Sequence, residues 1–190
     1  MILNNLNTEF LGQNNFYYDE IDSTQNEIWR LYEKDAPNGS LVMAGMQTAG
    51  KGTHGRIWHT DFSNNIAFSF LIKLDCTIDK LDGLTYEIAS IIVNIFKEKY
   101  NIDLSIKKPN DIIYNGKKLG GILTETKVVK EKVKALVIGI GINTSLKEFS
   151  EDIKDIATSI KNEFNIDVNV QDFIEEFCEK FEKNILERTK

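Results

Sequence analysis

Three glycines and two permanent cations fall within one short segment, Gly50-Lys51-Gly52-Thr53-His54-Gly55-Arg56. Glycines allow close backbone approach, and exposed N–H groups in such a loop can cradle an anion. Lys51 and Arg56 add positive charge suited to a phosphate. The segment therefore predicts an anion-binding loop, with a flexible surface loop as the open alternative.

This glycine-rich segment also matches parts of two nucleotide-binding motifs, and its context argues against both. A dinucleotide-binding G-x-G-x-x-G leads into a helix, whereas the next regular pattern here is a strand over Asn65–Lys73. A P-loop lysine is followed by a Ser or Thr that serves magnesium, but Lys51 is followed by Gly52. Neither a Rossmann domain nor a P-loop enzyme is predicted.

Lysines and a carboxylate cluster around a predicted hairpin whose turn is Asn115-Gly116, the strongest two-residue hairpin signal in the chain. The flanking segments are Lys107-Lys108-Pro109-Asn110-Asp111 and Lys118-Leu119-Gly120-Gly121. Asp111 at a strand end could face a metal-bound phosphate, because magnesium prefers one or two carboxylates together with phosphate oxygens. The alternative is an ordinary solvated hairpin with outward-facing lysines.

Glycine and isoleucine alternate in a third segment, Gly139-Ile140-Gly141-Ile142-Asn143-Thr144. Because glycine weakens a strand, its repetition on one face indicates that something approaches that face closely. The approaching group is either a ligand or a tightly packed helix.

The elements that must position these segments alternate in type. Strand patterns cover 40–46, 65–73, 104–107, 111–114, 118–126 and 133–142, and helical periodicity covers 84–100 and the region 173–185. Thr24-Gln25-Asn26-Glu27 has the form of a capping box that begins a further helix. The predicted class is α+β, with a mixed or antiparallel sheet and helices packed on one face.

Net charge, cysteine usage and hydrophobicity restrict the binding partners and the location that we expect for this chain. The chain has 190 residues, a formal net charge of −6 and a pI near 5.1, which argues against nucleic-acid binding. Cys76 and Cys178 are far apart and form no CxxC, as expected for reduced thiols. With neither a signal peptide nor an apolar run of about 20 residues, we predict one cytoplasmic domain that is not bound to a membrane.

In their order along the chain, these segments resemble the catalytic domain of the biotin protein ligases, within the biotin/lipoate ligase superfamily. The resemblance rests on five motifs, Asp22-Ser23-Thr24, Gln47 to Trp58, Lys107 to Asp111, Lys118 to Glu125 and Gly139 to Asn143, with Ala157-Thr158-Ser159-Ile160 as a further match. It implies a fold like that of class II aminoacyl-tRNA synthetases. It also implies that biotin and ATP form biotinyl-5′-AMP, after which a lysine of a biotin carrier domain displaces AMP.

The resemblance also implies roles for individual residues. Catalysis would use Lys118, Arg56 and Lys107, and Mg²⁺ would be held by Asp111. The biotin site would comprise Ser23, Thr24, Gln47, Gly50, Lys51, Gly52, Lys118, Gly121, Gly139 and Gly141. The ATP site would comprise Arg56, Trp58, Asn110 and Asn143. Thr24 has an alternative role as a helix cap, and Trp58 has one as a core residue.

The chain departs from the family pattern at ligand-facing positions. Thr53 and His54 stand where the family has arginines, Lys108 replaces a tryptophan, and Gln25 replaces an asparagine. A threonine cannot supply the bidentate contact of an arginine, so weaker retention of the adenylate is expected. From the chain length we expect neither an N-terminal DNA-binding domain nor a C-terminal small β-barrel, and either a monomer or a homodimer.

Two other functions stay open from the sequence. One is a lipoate or octanoate ligase or transferase of the same fold, although the Gly139–Asn143 and Lys118–Leu123 segments look like the biotin branch. The other is a non-catalytic protein that binds biotin or an adenylate, which the replacements at Thr53, His54 and Lys108 motivate.

Overall fold

The computed structural model describes residues 2–60 and 65–188. Seven strands make one mixed sheet in the order β1-β2-β3-β7-β6-β5-β4. The strands are β1 (Asn15–Ile21), β2 (Leu41–Gln47), β3 (Ile66–Cys76), β4 (Ser105–Lys107), β5 (Asp111–Tyr114), β6 (Lys117–Val129) and β7 (Lys132–Ile142). The helices are α1 (Thr24–Glu33), α2 (Leu84–Tyr100), α3 (Ile160–Phe164) and α4 (Val170–Arg188).

Strand pairing is antiparallel throughout except at one edge, where β1 runs parallel to β2. The long strands β3, β6 and β7 form the centre, and β5 joins β6 through the predicted turn at Asn115-Gly116. Both turn residues have positive φ, 49° and 81°, as the tight hairpin requires. The predicted α+β class with a mixed sheet is confirmed.

The main core lies between one sheet face and helices α2 and α4. Alternate residues of β3, among them Phe68 and Phe70, point toward α4 and meet Phe177 and Phe181, with ring centroids 5.2–5.9 Å apart. The period-2 alternation of the strand and the helical spacing of the aromatics bring these faces together. The two long helices therefore pack on one face of the sheet, as predicted.

The opposite face carries α1, so the expectation that all helices pack on one face was wrong for this element. Ile28 of α1 forms a separate buried cluster with Val42, Leu71, Ala135 and Val137. These strand residues alternate with those of the main core, so the central strands are apolar on both faces. A second cover is therefore needed, and α1 supplies it.

The predicted strands and the two long helices are confirmed to within a few residues, and helix α2 has the predicted bounds. Strand β1 and the short α3 were not predicted. The capping box was also wrong: Ser23 is the N-cap residue, and the Thr24 hydroxyl contacts Gln47 and Ser69 instead of capping the helix. Within residues 2–60 and 65–188, no helix combines the length and apolarity needed to cross a membrane.

Candidate active site

A pocket of about 430 Å³ opens on the α1 face of the sheet, beside the first residues of that helix. We call it the polar pocket. Strands β3, β6 and β7 form its floor, and the segment Gly50–Trp58, the glycine loop, forms one wall. The predicted biotin-site residues that line it are Ser23, Thr24, Gln47, Lys51, Gly52, Lys118, Gly121, Gly139 and Gly141. Segments distant in sequence thus meet at one pocket.

The closed end of the polar pocket is built from hydrogen-bonding side chains. Gln47 accepts from the Thr24 backbone N–H at 2.8 Å and donates to Thr60 Oγ1 at 3.1 Å. Ser23 is fully buried, and its Oγ has no hydrogen-bond partner among the residues that the structure describes. Because buried hydroxyls are normally paired, this unpartnered group points to a polar ligand.

The strand glycines make room for the protein's own side chains. A Cβ added at Gly141 would lie 2.4 Å from the Trp58 ring, and one at Gly139 would lie 2.6 Å from Gln25 Oε1. At Gly121 the nearest atoms belong to Lys118, at 3.3 Å. The close approach indicated by the glycine–isoleucine alternation is therefore real, but the groups that approach are side chains lining the pocket.

Lys118 is placed by a carboxylate and an aromatic ring. Its Nζ lies 2.6 Å from Asp111 Oδ1 and 5.7 Å from the centroid of the Trp58 ring. The β5–β6 hairpin pairs Lys118 with Ile113 and Asp111 with Gly121, which brings the Lys118 side chain within reach of the Asp111 carboxylate. Both groups are partly shielded, with side-chain exposures of 31% and 21%.

The glycine loop folds as a short hairpin of its own. The Gly52 N–H donates to the Arg56 carbonyl at 2.7 Å, and the Trp58 N–H donates to the Gly50 carbonyl at 2.8 Å. The Arg56 guanidinium turns back and donates to Thr53 O at 3.1 Å and to Thr53 Oγ1 at 2.7 Å. Thr53, which stands where the family has arginine, is thus the anchor for Arg56.

A second pocket of about 690 Å³ adjoins the first, and we call it the apolar pocket. Its apolar wall comprises Ile57, Leu146, Phe149, Ile153, Ile156 and Ala157. Arg56, Trp58 and Asn143, three of the predicted ATP-site residues, also line it. Trp58 and Lys118 line both pockets, so the Lys118 ammonium stands at their junction.

Four predicted residues lie elsewhere, and one of them is Asp111, which lines neither pocket. Lys107 is exposed on the edge strand β4, where it pairs with Asp111 of β5, and it lines neither pocket. Gly50 is buried at the base of the glycine loop, where an added Cβ would meet the Trp58 carbonyl at 2.3 Å. Asn110, predicted for ATP, lines the polar pocket, and its Nδ2 donates to the Ile122 carbonyl.

The fit of the residues to magnesium depends on one carboxylate. Across residues 2–60 and 65–188, no three His, Cys, Asp or Glu side chains come together as a metal site. Asp111 therefore belongs to no such cluster of ligands in the described part of the chain, and its carboxylate is paired with Lys118. It could hold Mg²⁺ only together with phosphate oxygens from a substrate, which is a common arrangement for this ion.

Some pocket residues were not predicted from the sequence. Ser69 is the polar residue within the apolar strand Ile66–Ile72, a signal that could have marked it as facing a site. Gln25, a replacement of the family's asparagine, also lines the polar pocket, although the sequence did not predict this position for it. The residues of the apolar wall over 146–157 belong to a loop and follow no regular pattern that could have revealed them.

Comparisons with known proteins agree with this geometry. The model of the biotin/lipoate A/B protein ligase family matches residues 17–143. The bifunctional ligase/repressor BirA of Bacillus subtilis is 41% identical over 157 residues, which are 82% of this chain and 48% of that protein. The biotin--[acetyl-CoA-carboxylase] ligase of Paracoccus denitrificans is 30% identical over 124 residues, which are 64% of this chain and 51% of that protein.

A solved structure shares the fold. The biotin protein ligase from Aquifex aeolicus in complex with biotin and ATP superposes with a TM-score of 0.77 at 28% identity, covering 93% of this chain and 72% of that one. The chain spans about half the length of the two curated relatives named above. The family match extends from β1 to the end of β7 and contains most of the residues that line the polar pocket. The chain therefore belongs to the biotin/lipoate A/B protein ligase family.

Proposed function

We propose that this chain activates biotin with ATP as biotinyl-5′-AMP and transfers biotin to a lysine of a biotin carrier domain. The observation that carries the proposal is the position of Lys118 at the junction of the polar and apolar pockets. A carboxylate extending from the first pocket and a phosphate extending from the second would meet beside its ammonium. Relatives named as biotin ligases, and an Aquifex aeolicus structure with biotin and ATP, support the assignment.

In the first step, a carboxylate oxygen of biotin attacks the α-phosphorus of ATP and pyrophosphate leaves. Both reactants are anions, so cations must offset their repulsion and stabilise the charge in transfer. Lys118 would supply one positive charge at the reacting atoms. Arg56, now held by Thr53 at the edge of the apolar pocket, would supply a second for the phosphates.

The proposed site for Mg²⁺ is Asp111 together with ATP phosphate oxygens. Bound there, the ion would neutralise phosphate charge. The same carboxylate lies 2.6 Å from Lys118 Nζ and would orient that ammonium.

In the second step, the amine of the carrier lysine attacks the acyl carbon of the adenylate, and AMP leaves with the electron pair of the broken C–O bond. No covalent enzyme intermediate is needed. The proposed partner is a biotin carboxyl carrier protein or a carboxylase carrier domain, and the proposed location is the cytoplasm, with Cys76 and Cys178 both unpaired.

The polar pocket favours biotin over lipoate or octanoate. Buried hydroxyl and carboxamide groups of Ser23, Thr24 and Gln47 form its closed end. Such groups suit a urea, whereas an alkyl chain or a dithiolane ring would leave the buried Ser23 hydroxyl without a partner among the described residues. Biotin binding that excess lipoate does not displace is the expected result of competition.

The function is tested by isothermal titration of biotin with and without ATP and magnesium, followed by pyrophosphate release. We expect Lys118→Ala to lower the rate of release by about 10²- to 10³-fold, because one preorganised charge at the reacting atoms is lost. Lys117→Ala, at the exposed neighbouring position, serves as the matched control. Tight biotin binding without release from the wild type would instead identify a binding protein, and an unchanged rate in Lys118→Ala would exclude the proposed role.

A further inference from the structure

Four oxygen atoms follow one another along the closed end of the polar pocket. Thr24 Oγ1 lies 3.1 Å from Gln47 Oε1 and 2.8 Å from Ser69 Oγ. Ser69 Oγ in turn lies 3.1 Å from Gln25 Oε1. All four residues are buried, so each of the three contacts needs a proton between its oxygens to be favourable.

The two ends of this chain of oxygens are both fixed as acceptors. The Thr24 backbone N–H donates to Gln47 Oε1, which sets the orientation of that carboxamide. At the other end, Gln25 Nε2 donates to Glu125 Oε2 at 3.0 Å and to the Val137 carbonyl at 3.4 Å. Glu125 Oε2 is also the acceptor for Trp29 Nε1, and the Val137 carbonyl can only accept, so the Gln25 amide group must face them and its oxygen must face Ser69.

Between the two fixed amide oxygens stand only two hydroxyl groups, and each brings one proton. Two protons cannot serve three oxygen–oxygen contacts, so one contact is left without a donor. Among the residues that the structure describes, no other side chain donates to these four oxygens. This end of the pocket therefore presents excess lone pairs and is one donor short.

We propose that Glu125 is a positioning residue that, through Gln25, makes the closed end of the polar pocket require an N–H donor from its ligand. Glu125 itself does not line the pocket. It also accepts from Trp29 Nε1 at 2.6 Å, which holds the carboxylate against α1. The inference rests on the proposed function and names the feature of biotin that is read, a ring N–H of the cyclic urea.

The replacement of the family's asparagine by Gln25 is part of this device. The glutamine side chain is one methylene longer, and Gly139 leaves room for its oxygen, since a Cβ there would lie 2.6 Å away. The extra length lets one carboxamide reach both Ser69 on β3 and Glu125 on β6. The unpartnered hydroxyl of Ser23 remains available to donate to the urea carbonyl.

The test compares the Kd of biotin with the Kd values of two cyclic carbamate analogues, each with one ring N–H replaced by oxygen. In the wild type we expect at least one analogue to bind on the order of tenfold more weakly or worse, because its ring oxygen would face unpaired acceptors. In Gln25→Met, two protons serve the two remaining contacts, so the preference for biotin should fall to within about threefold. Glu125→Met should act in the same way by releasing the Gln25 amide.

Two controls separate positioning from stability. Glu125→Gln keeps an oxygen in reach of Gln25 and Trp29 and should retain the wild-type preference. Glu131→Gln, at the exposed tip of the β6–β7 hairpin, makes the same charge change away from the pocket. If Glu125→Met fails to fold, the near-isosteric Gln25→Met carries the test.

The outcomes are distinguishable. A preference for biotin that is unchanged in Gln25→Met and Glu125→Met, or wild-type binding that ignores the N–H replacement, overturns the inference and leaves the proposed function standing. A wild-type protein that binds no biotin, with or without ATP, overturns the proposed function and this inference with it.

Discussion

At the scale of single residues, Trp58 joins the two pockets because strand glycines leave space for its indole ring. The ring lies over Gly141 and Gly121 and lines both pockets. The Lys118 ammonium stands 5.7 Å from its centroid. A change that moves Trp58 is therefore expected to disturb both pockets together.

We predict that Gly141→Ala weakens biotin binding by roughly tenfold and destabilises the fold by about 1–3 kcal/mol, because a Cβ at 2.4 Å forces the ring to move. Titration calorimetry and chemical denaturation measure the two effects. In a Trp58→Ala background the same substitution should cost little, since the clash is gone. Equal losses in both backgrounds would show that the glycine serves another purpose.

At the scale of elements, residues 9–11 are tied to α4 by one buried carboxylate. Glu182, which is 6% exposed, accepts from the backbone N–H groups of Glu9, Phe10 and Leu11 at 2.6, 3.0 and 2.8 Å. An irregular segment has no strand or helix partners for these donors, and Glu182 takes their place. The contact holds the chain that leads into β1.

We predict that Glu182→Ala lowers the free energy of unfolding by about 2–4 kcal/mol, because three N–H groups lose a charged acceptor. Glu179→Ala is the control on the same helix. Its carboxylate accepts one exposed bond of 3.3 Å from Asn7, and its loss should cost no more than about 0.5 kcal/mol. Urea denaturation and hydrogen exchange at residues 9–11 measure the difference, and comparable losses in the two variants would contradict the prediction.

At the scale of the whole molecule, carboxylates paired with cations give stability that depends on pH. Hydrogen bonds from Arg30 hold the pKa of Asp22 well below its ordinary value of 3.8, with a further contribution from Asn26. The contact places Arg30 Nη2 2.6 Å from Asp22 Oδ1 and ties the Asp22-Ser23-Thr24 segment to α1. Because the pKa of Asp22 is lower in the folded state than in the unfolded state, the ionised carboxylate stabilises the folded protein at pH values above the unfolded-state pKa. This stability is lost as the pH falls toward the folded-state pKa.

We predict that the wild type loses stability progressively below about pH 5 and that Asp22→Asn flattens this dependence. The effect on stability at neutral pH should be modest, because the pair is more than a third exposed. Denaturation series at several pH values measure the slope. In an Arg30→Met background, Asp22→Asn should change the slope little further, and an undiminished change would assign the acid sensitivity to other carboxylates.

The two faces of the sheet differ in how much apolar surface they bury. Helices α2 and α4 cover one face and bury the larger core, whereas α1 covers only part of the other. The polar pocket opens on the α1 face, over the glycines of β6 and β7. A site can form there because the opposite face alone supplies most of the apolar burial.

Local sequence patterns were sufficient to predict most of the secondary structure and the family of this protein. Continuous runs of apolar and β-branched residues predicted β3 and β7, which are buried on both faces. Helical apolar spacing predicted α2 and α4, because each of these helices buries one regularly repeating face. Asn115-Gly116 predicted its hairpin, since positive φ at two successive residues favours that pair. Five ordered motifs indicated the family and most residues that line the polar pocket.

Only the tertiary structure decided the rest. Strand β1 is a half-buried edge strand whose pairing with β2 is non-local, and α1 covers a face that no local pattern reveals. The contacts of Gln25 join residues 44 and 100 positions apart in the chain, so its spacing in the sequence carries no trace of Ser69 or Glu125. Sequence motifs specify which groups a site contains, but the direction of each hydrogen bond depends on the neighbours that folding brings together.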